Sequence, residues 1–126
     1  MGTMIIYRGE YKVFECVAEE TDPETGVVSK LNLTGASIYL AVRNNPPKTS
    51  EDDDSDALIA KDTTDGITIT DGVGGKFEIE CVTADTKDLP VESFSYGIKA
   101  VLSGYTDPVV LDVGEFIILE SYVRAV

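Results

Sequence analysis

Histidine and tryptophan are both absent from this chain of 126 residues, and lysine and arginine together number only ten. Without histidine the commonest general base and metal ligand is gone, and neither a Ser/His nor a Cys/His nucleophile can be assembled. Ten cations against 23 Asp and Glu leave a net charge of −13. That charge opposes a phosphate backbone and an anionic membrane alike, because both recruit proteins through Lys and Arg. No nucleic-acid partner and no membrane partner is expected. Long apolar runs are missing too: none approaches the roughly 20 residues needed to span a bilayer. The opening "MGTMIIYRGEYKV" lacks the basic n-region and apolar h-region of a signal peptide. Ile6 stands where a myristoylation motif wants Ser or Thr. Synthesis and folding in a cytoplasm are expected.

Cysteine is scarce, with Cys16 and Cys81 alone. Each lies on an alternating apolar face, Phe14-Cys16-Ala18 and Phe77-Ile79-Cys81, so both are expected to point inward as buried free thiols. A cross-strand disulfide is the alternative. Neither has a His or a second Cys nearby, which leaves no zinc set. Phosphate-binding glycine motifs are lacking, since "DGVGGK" (Asp71–Lys76) joins two strand patterns and reads as a tight turn. Carboxylates are plentiful enough for a glycosidase pair, but no aromatic sugar platform accompanies them. The acidic connector "NNPPKTSEDDDSDA" (Asn44–Ala57) has none of the ligand spacing, mid-loop Gly or terminal Glu of an EF-hand loop. It is read as a solvated hairpin tip without calcium. The expectation is a protein with no catalytic residues, no cofactor and no metal.

What is present is a β pattern. Hydrophobic residues make up 43%, enough for one domain over residues 1–126 that buries roughly two-thirds of its unfolded surface. Period-2 alternation predicts strands at Met4–Tyr7, Tyr11–Ala18, Ser37–Arg43, Ala57–Lys61, Ile67–Asp71, Lys76–Val82, Phe94–Leu102 and Val109–Tyr122. The last is long enough to break at Gly114. Breakers such as Arg8-Gly9, Asp22-Pro23 with Thr25-Gly26, Asp65-Gly66 and Thr106-Asp107-Pro108 separate them. "TADTKDLP" (Thr83–Pro90) alone leaves the β rhythm, as one helical turn with Thr83 as N-cap and Pro90 as stop. Such a turn suits a crossing between two sheets. The expected core is Phe14, Ile38, Leu40, Val42, Phe77, Ile79, Tyr96, Ile98, Leu111, Phe116 and Ile118.

Five short motifs follow one another along the chain: "NLTGA" (Asn32–Ala36), "GITITD" (Gly66–Asp71), "DTKDL" (Asp85–Leu89), "FSYGI" (Phe94–Ile98) and "GEF" (Gly114–Phe116). Together they resemble the small immunoglobulin-like β-sandwich of tailed-bacteriophage structural proteins. The chain is similar in particular to the N-terminal domain of siphophage upper baseplate and tail-fibre proteins. The resemblance covers nearly the whole chain and rests on turn and core residues. It implies an immunoglobulin-like antiparallel sandwich with one short helical turn. It also implies a non-enzymatic tail or baseplate component of a phage or prophage virion, made in the bacterial cytoplasm. Its partners would be other tail or baseplate proteins, or itself as a homo-oligomer. The chain departs from that family in ending at Val126, without the helix and distal module that usually follow. It departs from antibody domains in lacking the buried Trp and the inter-sheet Cys pair. The alternative reading is a bacterial carbohydrate- or surface-binding β-sandwich.

Two segments, "MIIY" (Met4–Tyr7) and "FIIL" (Phe116–Leu119), are apolar on both faces where a half-exposed strand should alternate. If Phe116 and Ile118 fill the core, Ile117 and Leu119 face the other way. Either the N-terminal segment covers them, or they form with Ile5 a docking surface for a second copy or another tail protein.

Overall fold

Alternating apolar residues become strands in the computed structural model, which describes residues 2–44 and 57–120. The elements are β1 (Gly2–Tyr7), β2 (Lys12–Val17), β3 (Glu19–Thr21), β4 (Val28–Lys30), β5 (Ser37–Arg43) and β6 (Ile59–Asp62). They continue with β7 (Ile67–Asp71), β8 (Lys76–Cys81), α1 (Thr83–Thr86), β9 (Ser93–Val101) and β10 (Val109–Leu119). Helix accounts for only 4% of the described residues, so the all-β expectation holds. The acidic segment between residues 45 and 56, expected to be a calcium-free hairpin tip, lies outside the described residues.

Five strands make one sheet in the order β1-β10-β9-β5-β6, and three make the sheet opposite, β2-β8-β7. β2, β7 and β8 hold the places of strands B, D and E of an immunoglobulin sandwich, and β5, β9 and β10 those of C, F and G. The pairing departs from the expected antiparallel order in one place: β1 runs parallel to β10. No hairpin joins these two strands, so turn geometry does not dictate their direction, and nearly the whole domain serves as the crossover between them. The expected break at Gly114 is also corrected. β10 runs through it, and the register shifts instead between Val110 and Asp112. Gly114 faces Gly2 across the ladder, and a Cβ there would run into the Gly2 carbonyl. Its bare backbone is what lets β1 come alongside.

Inward positions follow the period of two. Met4 and Ile6, Ile38, Leu40 and Val42, Phe77, Ile79 and Cys81, Phe94, Tyr96 and Ile98, and Phe116 and Ile118 are all buried. Each large apolar side chain so buried contributes about 1.5–3 kcal/mol. Phe14 and Leu111, expected in the core, are only partly buried and pack against its margin. The "LTGA" corner works through its backbone. Leu33 is fully buried and its N–H donates to the Gly72 carbonyl at 2.7 Å, while Gly35 takes φ +75° to turn the chain into β5. Only glycine adopts that conformation without strain.

The helical turn carries the chain from β8 in one sheet to β9 in the other, as expected. Its N-cap is Val82 and not Thr83, because the Asp85 carboxylate reaches back to accept the Val82 N–H at 2.8 Å. The same oxygen, Asp85 Oδ2, sits 2.8 Å from Lys61 Nζ, with the two side chains only 9% and 19% exposed. Thr86, fully buried, accepts the Gly9 N–H on Oγ1 at 2.8 Å. The crossing is thereby tied to both β6 and the β1–β2 turn.

Candidate docking surface and the cleft beside it

In-register pairing brings the chain's two doubly apolar segments together. Ile5 pairs with Ile117 and Tyr7 with Leu119, while Met4 and Ile6 join Phe116 and Ile118 on the inner face. The N-terminal segment therefore does not cover Ile117 and Leu119. It lies beside them in the same sheet and adds two more apolar side chains to the same outer face. Ile5 is 42% exposed, Tyr7 50% and Leu119 37%, with Ile117 half-buried between them. Polar groups border the patch. Arg8 Nη2 bonds Glu120 Oε1 at 3.0 Å at one end, and Ser93 Oγ donates to Glu115 Oε2 at 3.3 Å on the other side. An apolar centre with a polar rim is the anatomy of a protein-docking surface. All three residues nominated from sequence, Ile5, Ile117 and Leu119, stand on it.

Around the edge of the sandwich from this face, a cleft of about 480 Å³ opens between β1 and β2. Met4, Phe14, Phe77, Ile98 and Leu111 give it apolar walls. On its polar side the Tyr96 hydroxyl donates to Asp112 Oδ2 at 2.6 Å. Gly2 makes room for this pair, since a Cβ there would meet both oxygens. Burial, then the bond to Asp112, pushes the Tyr96 hydroxyl well above the ordinary phenol range. It is a neutral, committed donor. Phe14 spans the sandwich to meet Phe116, ring centroids 6.3 Å apart, and Lys12 Nζ lies 5.1 Å from its ring on the way to the Ile5 carbonyl, which it reaches at 2.7 Å. These contacts close the cleft at the Tyr7–Lys12 end.

Both cysteines are free. Cys16 pairs with Phe77 and Cys81 with Lys12, four residues apart along the ladder, which is about 13 Å and beyond disulfide reach. Cys81 is buried as expected, but Cys16 is only half-buried because its strand borders the cleft. Burial, with Asp112 adding, pushes the Cys16 thiol up to about 11. Burial, then Asp85 and Glu80 against an opposing Lys61, does the same for Cys81. Neither is an activated nucleophile. Among the described residues, no group of three or more His, Cys, Asp or Glu is placed to hold a metal ion, and no helix is long and apolar enough to cross a membrane.

Sequence reasoning missed the cleft. It depends on which strands end up at sheet edges, and local periodicity carries no such signal. Compared with known families and with curated proteins, the chain matches no family model and no curated sequence.

Proposed function

We propose that the protein is a non-enzymatic structural module of a tailed-phage or prophage virion, a tail or baseplate component that acts by docking onto other proteins. The observation that carries this reading is the exposed apolar row Ile5–Ile117 and Tyr7–Leu119 on the outer face of β1 and β10, bordered by polar pairs. A contiguous apolar patch with a polar rim has a use when another protein covers it. The order of the "NLTGA", "GITITD", "DTKDL", "FSYGI" and "GEF" motifs supports the phage assignment by resemblance. Docking joins this face to a second copy or to a neighbouring tail protein, and the chain reaches the virion after folding in the bacterial cytoplasm.

A carbohydrate-binding module would gather aromatic rings beside polar loops. Among the described residues the exposed tyrosines are distributed over β1 (Tyr7), the segment before β2 (Tyr11), β5 (Tyr39) and the β9–β10 loop (Tyr105), so docking is the better-supported reading. The test is mass spectrometry of gradient-purified tailed particles from a culture expressing the gene at native level. The chain should copurify with particles in stoichiometric amount. Its confinement to the particle-free fraction would overturn the assignment.

A further inference from the structure

The free side of β2 is a second binding element, and the argument for it does not rest on the Ile5–Ile117 face. The β2–β8 ladder pairs Lys12 with Cys81, Phe14 with Ile79 and Cys16 with Phe77. The Ala18 N–H continues it by donating to the Gly75 carbonyl at 2.8 Å. Hydrogen-bonded and non-hydrogen-bonded pairs alternate along an antiparallel ladder. Lys12, Phe14 and Cys16 are therefore the residues bonded to β8, and Val13, Glu15 and Val17 turn their N–H and C=O groups the other way. β2 is the edge of its sheet. Among the described residues, none of these outward backbone groups has a hydrogen-bond partner. The cleft lies directly beside this edge, with the inward side chains of Phe14 and Cys16 in its wall.

We propose that β2 accepts an added strand, an extended basic segment of another protein that completes the three-stranded sheet and places apolar side chains in the cleft. Pairing of this kind takes affinity from main-chain hydrogen bonds and specificity from pockets for alternate side chains. The charges select the occupant. Glu15 faces Glu78 across the ladder, a like-charge pair that is destabilising as it stands. Asp112 adds further negative charge at the cleft, while Glu19 beside it is already paired with Lys30 Nζ at 2.9 Å. A strand with Lys or Arg beside Glu15 relieves that repulsion, while its flanking residues point inward, against Phe14 and Cys16, and are aliphatic. A second copy of this chain is a poor occupant. Two-fold pairing of β2 with itself about Glu15 sets a second Glu15–Glu78 pair against the first, between molecules that each carry −13.

The probe is the end-capped peptide KVKIKVK, with KKVVIKK as a control of equal charge and composition but no alternation. Amide hydrogen exchange is read by NMR on the intact protein. KVKIKVK should slow exchange at Val13, Glu15 and Val17 by roughly tenfold or more, and the control should not. Glu15→Pro removes one outward N–H while leaving the β8 ladder intact, a position where edge strands tolerate proline. Cys16→Leu fills the cleft and serves as an independent variant if Glu15→Pro folds poorly. Either should weaken KVKIKVK binding by about tenfold or more. Equal binding of both peptides, or unchanged exchange at the three amides, overturns the proposal. Protection of those amides that grows with protein concentration and needs no peptide also overturns it, by naming a second copy as the occupant.

Discussion

The two flanks of the sandwich are built differently. On the β6–β7 flank, Ile59 and Ile67 are buried, an isolated bridge joins Asp62 to Gly66, and the sheltered Lys61–Asp85 pair ties β6 to the helical crossing. On the β1–β2 flank, Phe14 and Cys16 are half-exposed over a cleft and β2 has an open side. The first flank is closed by a sheltered ion pair, whereas the second leaves the outward backbone groups of Val13, Glu15 and Val17 without partners among the described residues. Closure is thus concentrated on one side of this small domain, and the binding elements we propose lie on the other.

The largest test of that contrast compares two phenylalanines. Phe94→Ala, which empties a fully buried site on β9, should cost about 4 kcal/mol in chemical denaturation. Phe14→Ala on the open flank should cost about half as much, roughly 2 kcal/mol, because its site is already partly solvated. Equal losses would mean that the cleft closes in solution. Next in size is the closed flank's ion pair. Asp85→Asn leaves the Lys61 ammonium sheltered and unpaired, and should cost about 3 kcal/mol. Adding Lys61→Met to Asp85→Asn should recover most of it, since the penalty belongs to the orphaned charge.

A smaller effect comes from the thiols. The fold raises both, so neutral thiols are favoured in the native state, and their contribution is full below about 9, the ordinary value. It is lost as pH rises through about 11. Melting temperature should therefore fall across that window, and less so in Cys81→Ala. Alkylation kinetics divide the flanks again. Both thiols should react slowly at neutral pH, with Cys16 first as pH rises, because only Cys16 borders the cleft. Faster labelling of Cys81 would contradict the description of the closed interior.

Most of the strands were legible because they bury one face. Ser37–Arg43 and Ile67–Asp71 appear with their expected bounds, since each alternates between breakers. The hairpin of β3 and β4 was not legible. Its six residues are all exposed, so no apolar rhythm marks them, and Asp22 shapes its turn through side-chain bonds to Glu24 and Thr25. Thr83 looked like the N-cap because capping hydroxyls usually precede a helix, whereas here a carboxylate inside the turn does that work. "MIIY" gave no clue to which face it buries, as both are apolar. Ile117 and Leu119 were correctly placed outward by parity with Phe116 and Ile118. Their adjacency to Ile5 depends on a parallel pairing of residues over a hundred positions apart, which no local pattern encodes.

Docking of a second copy through the Ile5–Ile117 face is read out by light scattering on wild type and Ile117→Lys, at low and high salt. The substitution points outward from β10, so it should leave melting almost unchanged, within about 0.5 kcal/mol. Wild-type mass should rise with concentration, and further with salt, because screening relieves repulsion between molecules of net charge −13 while apolar burial persists. Ile117→Lys should remain monomeric throughout. A wild type that stays monomeric at high concentration in every salt condition, alongside an equally well-folded Ile117→Lys, would contradict docking of a second copy on this face.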